Sequence, residues 1–231
     1  DFKAQINHLV SEGMEQEEAL YKVLKETIIA SRNIRFEGDG YSDEWKEEAM
    51  KRGLTNVSHV PDAIMRFNDP QSRNVLIGEN IFNENELNCR IEVELEKFTK
   101  KVQIESRILG DLAINHIVPT AVFYQNRLLE NLRGLRETFS PEEYEMLGAD
   151  RRELVKEIQL HTLEIKRLVH EMTEARHIAN RLDSQIKKAY SYEECVSPYM
   201  EKIREHIDHL ELEIDDEIWP LPKYRELLFT K

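Results

Sequence analysis

The chain has 231 residues, with 32 Lys and Arg against 45 Asp and Glu, a formal net charge of −13 at pH 7. Eight glycines and seven prolines are about half the usual share, too few turn formers for a sandwich, barrel or propeller. The acidic balance disfavours nucleic acid as a partner, no run approaches the ~18 apolar residues of a membrane span, and two cysteines make neither a disulfide framework nor a zinc site built from four thiolates.

A chain of this size is expected to expose roughly 11,000 Å2 when folded, with a core sufficient for one or two domains. It opens on Asp1-Phe2-Lys3-Ala4, without the charged-then-apolar layout of a signal peptide. The lack of an initiator methionine is what processing, tag removal or a segment of a longer chain would give.

Leu20, Val23, Leu24 and Ile28 fall on one helical stripe, which predicts a helix ending near Asn33. Gly13 separates it from an opening turn around Ile6, Leu9 and Val10. Gly38-Asp39-Gly40 is read as a turn and is too short for a phosphate loop. Ser42 caps a second helix from Asp43 to Arg52, with Asp43 and Glu44 in its first turn and Gly53 stopping it. Pro61 suits the start of a short helix over Asp62 to Phe67, and Asp69-Pro70 and Gly78 break the chain again. Trp45, Leu54, Val60, Ile64, Phe67, Val75 and Leu76 need packing partners, so this region reads as short helices and loops laid on a larger body.

From Asn83 the pattern lengthens. Leu87, Ile91, Leu95, Phe98, Val102, Leu109 and Leu112 mark one stripe, with Glu105 at a seam position that calls for pairing or water. Lys101 and Arg107 are candidate partners for Glu105, whose expected role is to set register. This helix is predicted to reach Val118 and to kink at Pro119, with the pattern resuming through Val122, Leu128, Leu129, Leu132 and Leu135. Ser140-Pro141-Glu142-Glu143 is a helix start. Leu154, Ile158, His161, Ile165, Leu168, Met172, Ala175, Ala179, Leu182, Ile186 and Ala189 then alternate gaps of four and three. That heptad seam, about 50 Å long, predicts supercoiling against a partner helix. Val196, Met200, Ile203, Ile207, Leu210 and Ile214 continue the pattern, with Ser191 as cap and Trp219-Pro220-Leu221-Pro222 as terminator; Lys223 to Phe229 forms a last turn.

The expected fold class is therefore all-α: a long antiparallel helical bundle with coiled-coil-like heptads and a small loop-rich subregion. Its hairpins are placed near residues 136–150 and 189–193. The expected organisation is 1–34 as an N-terminal helix, 35–82 as short helices and loops on the bundle, and 83–231 as the bundle itself.

Few residue constellations suggest chemistry. The sequence has no Walker-type or dinucleotide-binding glycine motif and no G-x-S-x-G elbow. Cys89 and Cys195, in amphipathic stretches without a positive helix-start setting, read as reduced, partly buried thiols. His170, Glu174 and His177 share one helix face in a set that zinc accepts, but His170-Glu171-Met172-Thr173-Glu174 lacks the fifth-place histidine of metalloproteases. That face is read as solvated, and Glu92, Glu96 and Glu105 lack the Glu-x-x-His partner a dinuclear bundle requires. His206 and His209 lie among Glu205, Asp208 and Glu211, an acidic surface with at most weak divalent affinity. His161, on the heptad seam, reads as a histidine hydrogen-bonded across the bundle, with a pH-dependent packing switch as its functional alternative. Glu211, Glu213, Asp215, Asp216 and Glu217 lack the layout of a calcium loop. We expect no catalytic, cofactor-binding or metal-ligating residue on this chain.

Four strings nevertheless suggest a family. Gly38-Asp39-Gly40-Tyr41-Ser42-Asp43-Glu44-Trp45, with Glu48-Ala49 and Lys51-Arg52-Gly53-Leu54, resembles a signature of type III glutamine synthetases just after their catalytic domain. Arg90-Ile91-Glu92-Val93-Glu94-Leu95-Glu96 with Lys101-Val102-Gln103-Ile104-Glu105 is similar to a helix of that family. So are Asn115-His116-Ile117-Val118-Pro119-Thr120-Ala121 with Tyr124-Gln125, where Thr120 replaces the usual Ala, and the ending Trp219-Pro220-Leu221-Pro222-Lys223-Tyr224 with Leu227-Leu228-Phe229. The resemblance spreads over roughly residues 20–230.

It implies the C-terminal helical domain of a cytoplasmic, homo-oligomeric enzyme that makes glutamine from glutamate, ammonia and ATP with Mg2+ or Mn2+. The family's metal ligands, nucleotide site and glutamate-binding arginine lie in an upstream catalytic region, and none of those motifs occurs in this sequence. The resemblance thus implies a non-catalytic accessory domain, entered by the 1–34 helix, whose partner is the catalytic domain of the same polypeptide. A free-standing helical scaffold that pairs with another protein is the alternative reading.

Overall fold

In a computed structural model, residues 2–228 are described, apart from the side chains of Tyr224 and Arg225; they are helices and connections without a strand. The chain groups into two compact units, Asp1–Ser58 and His59–Lys231. The boundary lies inside the 35–82 segment, which is therefore shared between them.

The first unit holds α1 (Phe2–Ser11), α2 (Gln16–Ala30) and α3 (Asp43–Lys51). The opening turn expected around Ile6 is a full helix, α1, which reverses into α2 at Gly13 with φ +98°. A 3-10 turn, Ser31–Ile34, ends this arm. Ala19, Val23 and Ala49 are buried, whereas Leu20, Leu24 and Ile28 of the expected stripe stay exposed. Ser42 caps α3 by accepting from the Trp45 N–H at 3.2 Å, and the Trp45 ring lies 4.6 Å from that of Phe36.

The second unit begins with α4 (Val60–Met65), a 3-10 turn over Arg66–Asn68, and α5 (Pro70–Gly78). Asp69-Pro70 breaks the chain as expected: Asp69 is extended between the 3-10 turn and α5, and Pro70 sits at the first position of α5, where its missing N–H costs no bond. Ile64, Met65, Leu76 and Ile77 pack on a small core of Leu87, Ile91, Leu95 and Ala189. Val60, Phe67 and Val75, which were expected to pack, remain exposed.

Four long helices make the main core: α6 (Glu84–Leu112), α7 (Val118–Thr138), α9 (Ala149–Asn180) and α11 (Ser197–Glu213). Asn83 and Glu86 start α6 with a reciprocal capping box. Ile165, Ile203 and Ala113 are fully buried here, with Ile158, Met172, Ile117 and Leu210 at 1% exposure. The heptad seam of α9 is therefore filled from within the chain.

Two prolines shape this body. The expected kink at Pro119 takes the form of a π-helical turn, Ala113–Ile117, immediately upstream. A second π turn, Tyr192–Val196, precedes Pro198 in the same way. A proline cannot donate to the carbonyl four residues back and crowds it; a widened turn accommodates both effects.

The second π turn also corrects the hairpin placement. Ser191 is no cap; α10 (Gln185–Ser191) runs through Tyr192–Val196 into α11. The chain reverses instead at Arg181–Asp183, and Ser184 caps α10. The other hairpin is capped at Ser140, contains α8 (Pro141–Leu147), and falls inside the expected 136–150. A short α12 (Tyr224–Leu227) forms the expected last turn, and Phe229 lies outside the described residues.

The exposed surface is 16,750 Å2, well above the expected value. Long helices buried along a single stripe leave their other faces in solvent, including Ile104, Ile108, Leu160 and Ile178, each more than half exposed.

Candidate functional site

The most concentrated polar chemistry lies where α9 meets α11. His161 projects from α9, and His206 and His209 sit one turn apart on α11. The Nδ1 atoms of His161 and His206 are 2.9 Å apart, so one ring donates and the other accepts. His209 stacks on His161 with ring centroids 5.1 Å apart. Burial holds the His161 pKa below its usual value; His206 and then His209 push the same way, and Glu157 opposes them weakly. Three imidazoles so placed are stable when neutral and repel when protonated. The sequence put His161 on the seam; its two partners had been assigned to a solvated acidic face.

A second polar group joins three elements. Asn180 Oδ1, at the end of α9, accepts from the Tyr192 hydroxyl at 2.9 Å and from Gln103 Nε2 of α6 at 3.0 Å. Tyr192 is fully buried, and burial is the main reason its pKa is raised. Tyr190 donates to Asp62 Oδ1 at 2.6 Å, tying α10 to α4, and this bond pushes its pKa up to about 12. Sequence periodicity gives no signal for these bonds, because they join side chains of different helical elements.

The remaining candidates disperse. His170, Glu174 and His177 are exposed, and among the described residues no group of three His, Cys, Asp or Glu is placed to hold a metal ion. Glu105 is not on the seam: Ser106 is the buried residue there, while Glu105 is wet and lies 3.9 Å from Lys101, one of its expected partners. Cys89 and Cys195 are exposed rather than partly buried; Cys89 falls opposite Leu87 and Ile91 on α6. Gly38-Asp39-Gly40 is a turn in which Asp39 Oδ1 accepts from the Tyr41 N–H.

The acidic run closes the C-terminal end of α11. Lys223 donates to the carbonyls of Glu211 and Ile214 and pairs with Asp216 at 2.6 Å, with only 14% of its side chain exposed. This lysine satisfies orphan carbonyls at the negative end of the helix dipole.

The polar groups described thus bind helix to helix, and the molecule is by class an all-α helical bundle domain. Residues 19–136, from α2 through most of α7, match the family model described as glutamine synthetase C-terminal domain, and the chain belongs to that family. It is 67% identical over all 231 residues to a glutamine synthetase from Bacteroides fragilis, of which it covers 32%. It is 29% identical over 219 residues to the type-3 glutamine synthetase of Dictyostelium discoideum, covering 92% of this chain and 29% of that protein. A glutamine synthetase from Butyrivibrio fibrisolvens is 28% identical over 219 residues, covering 94% of this chain and 31% of that protein. The chain spans about a third of the length of these curated relatives. Among the described residues no helix is long and apolar enough to cross a membrane.

Proposed function

We propose that this chain serves as the non-catalytic C-terminal accessory domain of a glutamine synthetase, contributing to assembly or regulation of a cytoplasmic homo-oligomer. Its partner is the catalytic region of the same polypeptide, where ATP and Mg2+ or Mn2+ act in glutamate–ammonia ligation. The observation that carries this reading is coverage: the whole chain aligns with a third of a relative named glutamine synthetase. Exposed apolar side chains on the long helices, such as Ile104 and Ile108 one turn apart on α6, suit contacts with other protein surfaces. The scaffold alternative rests on heptads with charged flanks, and the apolar seam of the α9 heptads packs against the chain's own helices.

The test is removal of the matching third from the Bacteroides fragilis relative, followed by glutamine formation and mass photometry. Smaller particles, or activity with altered regulation, are the expected result. Unchanged assembly, activity and regulation would sink the proposal.

A further inference from the structure

At the α7–α8–α9 tip, an acidic protein gathers cations around a hollow. A cavity of about 600 Å3 is lined by Arg136, Phe139, Pro141, Tyr144, Glu145 and Arg152. A second hollow, of about 350 Å3, shares Arg136, Tyr144 and Arg152 with it and adds Arg133 and Lys156.

The local charges do not cancel. Glu145 accepts from Arg152 Nη2 at 2.7 Å, and Lys156 pairs with Glu153 at 3.0 Å. Arg133 and Arg136 form no ion pair among the described residues, and Glu137 and Glu142, near in sequence, line neither hollow. The helix dipole favours a cation at the end of α7, which accounts for Arg136 alone. It does not account for Arg152. That guanidinium lies over the Tyr144 ring at 5.1 Å and donates through Nη2 to the Glu145 carbonyl and carboxylate. Its Nη1 is buried with no acceptor; among the described residues no other buried side-chain nitrogen or oxygen lacks a partner. Arg136, exposed and in no ion pair among the described residues, supplies the planar fork that matches the two oxygens of a carboxylate or phosphate, and Arg152 adds its charge to the same hollow.

We propose that this tip binds a small oxyanion-bearing ligand, a carboxylate or a phosphate, between Arg136 and Arg152, with the ligand's organic part against Tyr144 and Phe139. The site is independent of the accessory-domain reading. The turn that carries this site is capped and closely packed. Ser140 and Glu143 form a capping box, and Gly148 lies so close to Tyr144 and Leu132 that an added Cβ would sit 3.0 Å from the Tyr144 carbonyl and 3.1 Å from Leu132 Cδ2.

The experiment follows the arginine Nε–H signals of the 231-residue chain by NMR. Sodium phosphate and sodium succinate are titrated separately at constant pH and ionic strength, with sodium chloride as reference. Saturable shifts of the Arg136 and Arg152 signals are expected with at least one of the two. Response to phosphate alone assigns a phosphoryl ligand, to succinate alone a carboxylate, and to both a site that reads the oxyanion only. Arg152 also closes the end of α8, so Arg136→Gln, an exposed position, is the discriminating variant. It should weaken binding about tenfold, as loss of a charge-assisted bond does, while Arg107→Gln leaves it unchanged. Absence of saturable shifts with either anion, or equal binding by Arg136→Gln, would overturn the proposal.

Discussion

His161 of α9 and His206 of α11 face each other through their Nδ1 atoms at 2.9 Å, and His209 stacks on the same ring. The His161 pKa is lowered from 6.5, so the unfolded chain binds the proton more readily than the folded one. Stability from this site is therefore complete above about pH 6.5 and is lost as pH falls through the depressed folded value. His161→Asn should reduce the drop in melting temperature between pH 7.5 and pH 5. Equal drops in the two proteins would remove His161 from the account.

His59 carries the opposite sign. Its hydrogen bond to Glu193 raises its pKa, so its contribution is present below about pH 6.5 and lost as pH rises through the raised value. His59→Gln should steepen the acid loss slightly, since 59% of the His59 side chain is exposed. A shallower acid slope in this variant would contradict that assignment.

Core and surface aliphatic positions should separate cleanly. Ile203 is fully buried and Leu212, on the same helix, is 83% exposed. Ile203→Ala should cost about 2–5 kcal/mol in urea unfolding, and Leu212→Ala less than about 0.5 kcal/mol. Comparable costs would mean that the main core is misassigned.

Lys223 offers a test of how α11 ends. Lys223→Met keeps most of the apolar stem but deprives the Glu211 and Ile214 carbonyls of their donor. A loss of about 1–3 kcal/mol is expected, with faster amide exchange in the last turn of α11. An unchanged melting temperature would show that water replaces the ammonium without cost.

Gly110 marks a close approach of α6 to α9. A Cβ there would stand 3.4 Å from Val169 Cγ1 and 3.6 Å from Met172 Cε. Gly110→Ala should be near neutral, because the helical preference of alanine, up to about 1 kcal/mol, offsets the slight crowding. Gly110→Leu should cost about 1–3 kcal/mol by overpacking. The reverse order in thermal melts would contradict the packing described.

Most of the fold was legible because a buried helix stripe writes itself as spacing. Ile158, Ile165, Leu168, Met172 and Ala179 are buried as the heptads required. The turn at Arg181–Asp183 escaped for the same reason. Leu182, Ile186 and Ala189 happen to continue the gaps of three and four across it, so periodicity alone has no break to show. Glu105 was placed on the seam by counting from Val102, whereas Ser106 is the residue that packs, and a small hydroxyl carries no hydrophobic signal. The histidine cluster was half legible: one ring lay on a recognisable stripe. Its partners depend on the axial stagger of α11 against α9, which composition and spacing do not encode.

A π turn holds one residue more than a regular helix needs. Removing a single residue from Ala113–Ile117 or Tyr192–Val196 would let the helix close as a regular α turn with the segments on either side keeping their faces, because the wider turn takes up the extra residue within itself. Each of these turns therefore works as a slack link: it takes up one residue so that α7 or α11 keeps the face it presents to the rest of the bundle. Descendants of this chain can lose one codon there without re-aiming the half-helix that follows.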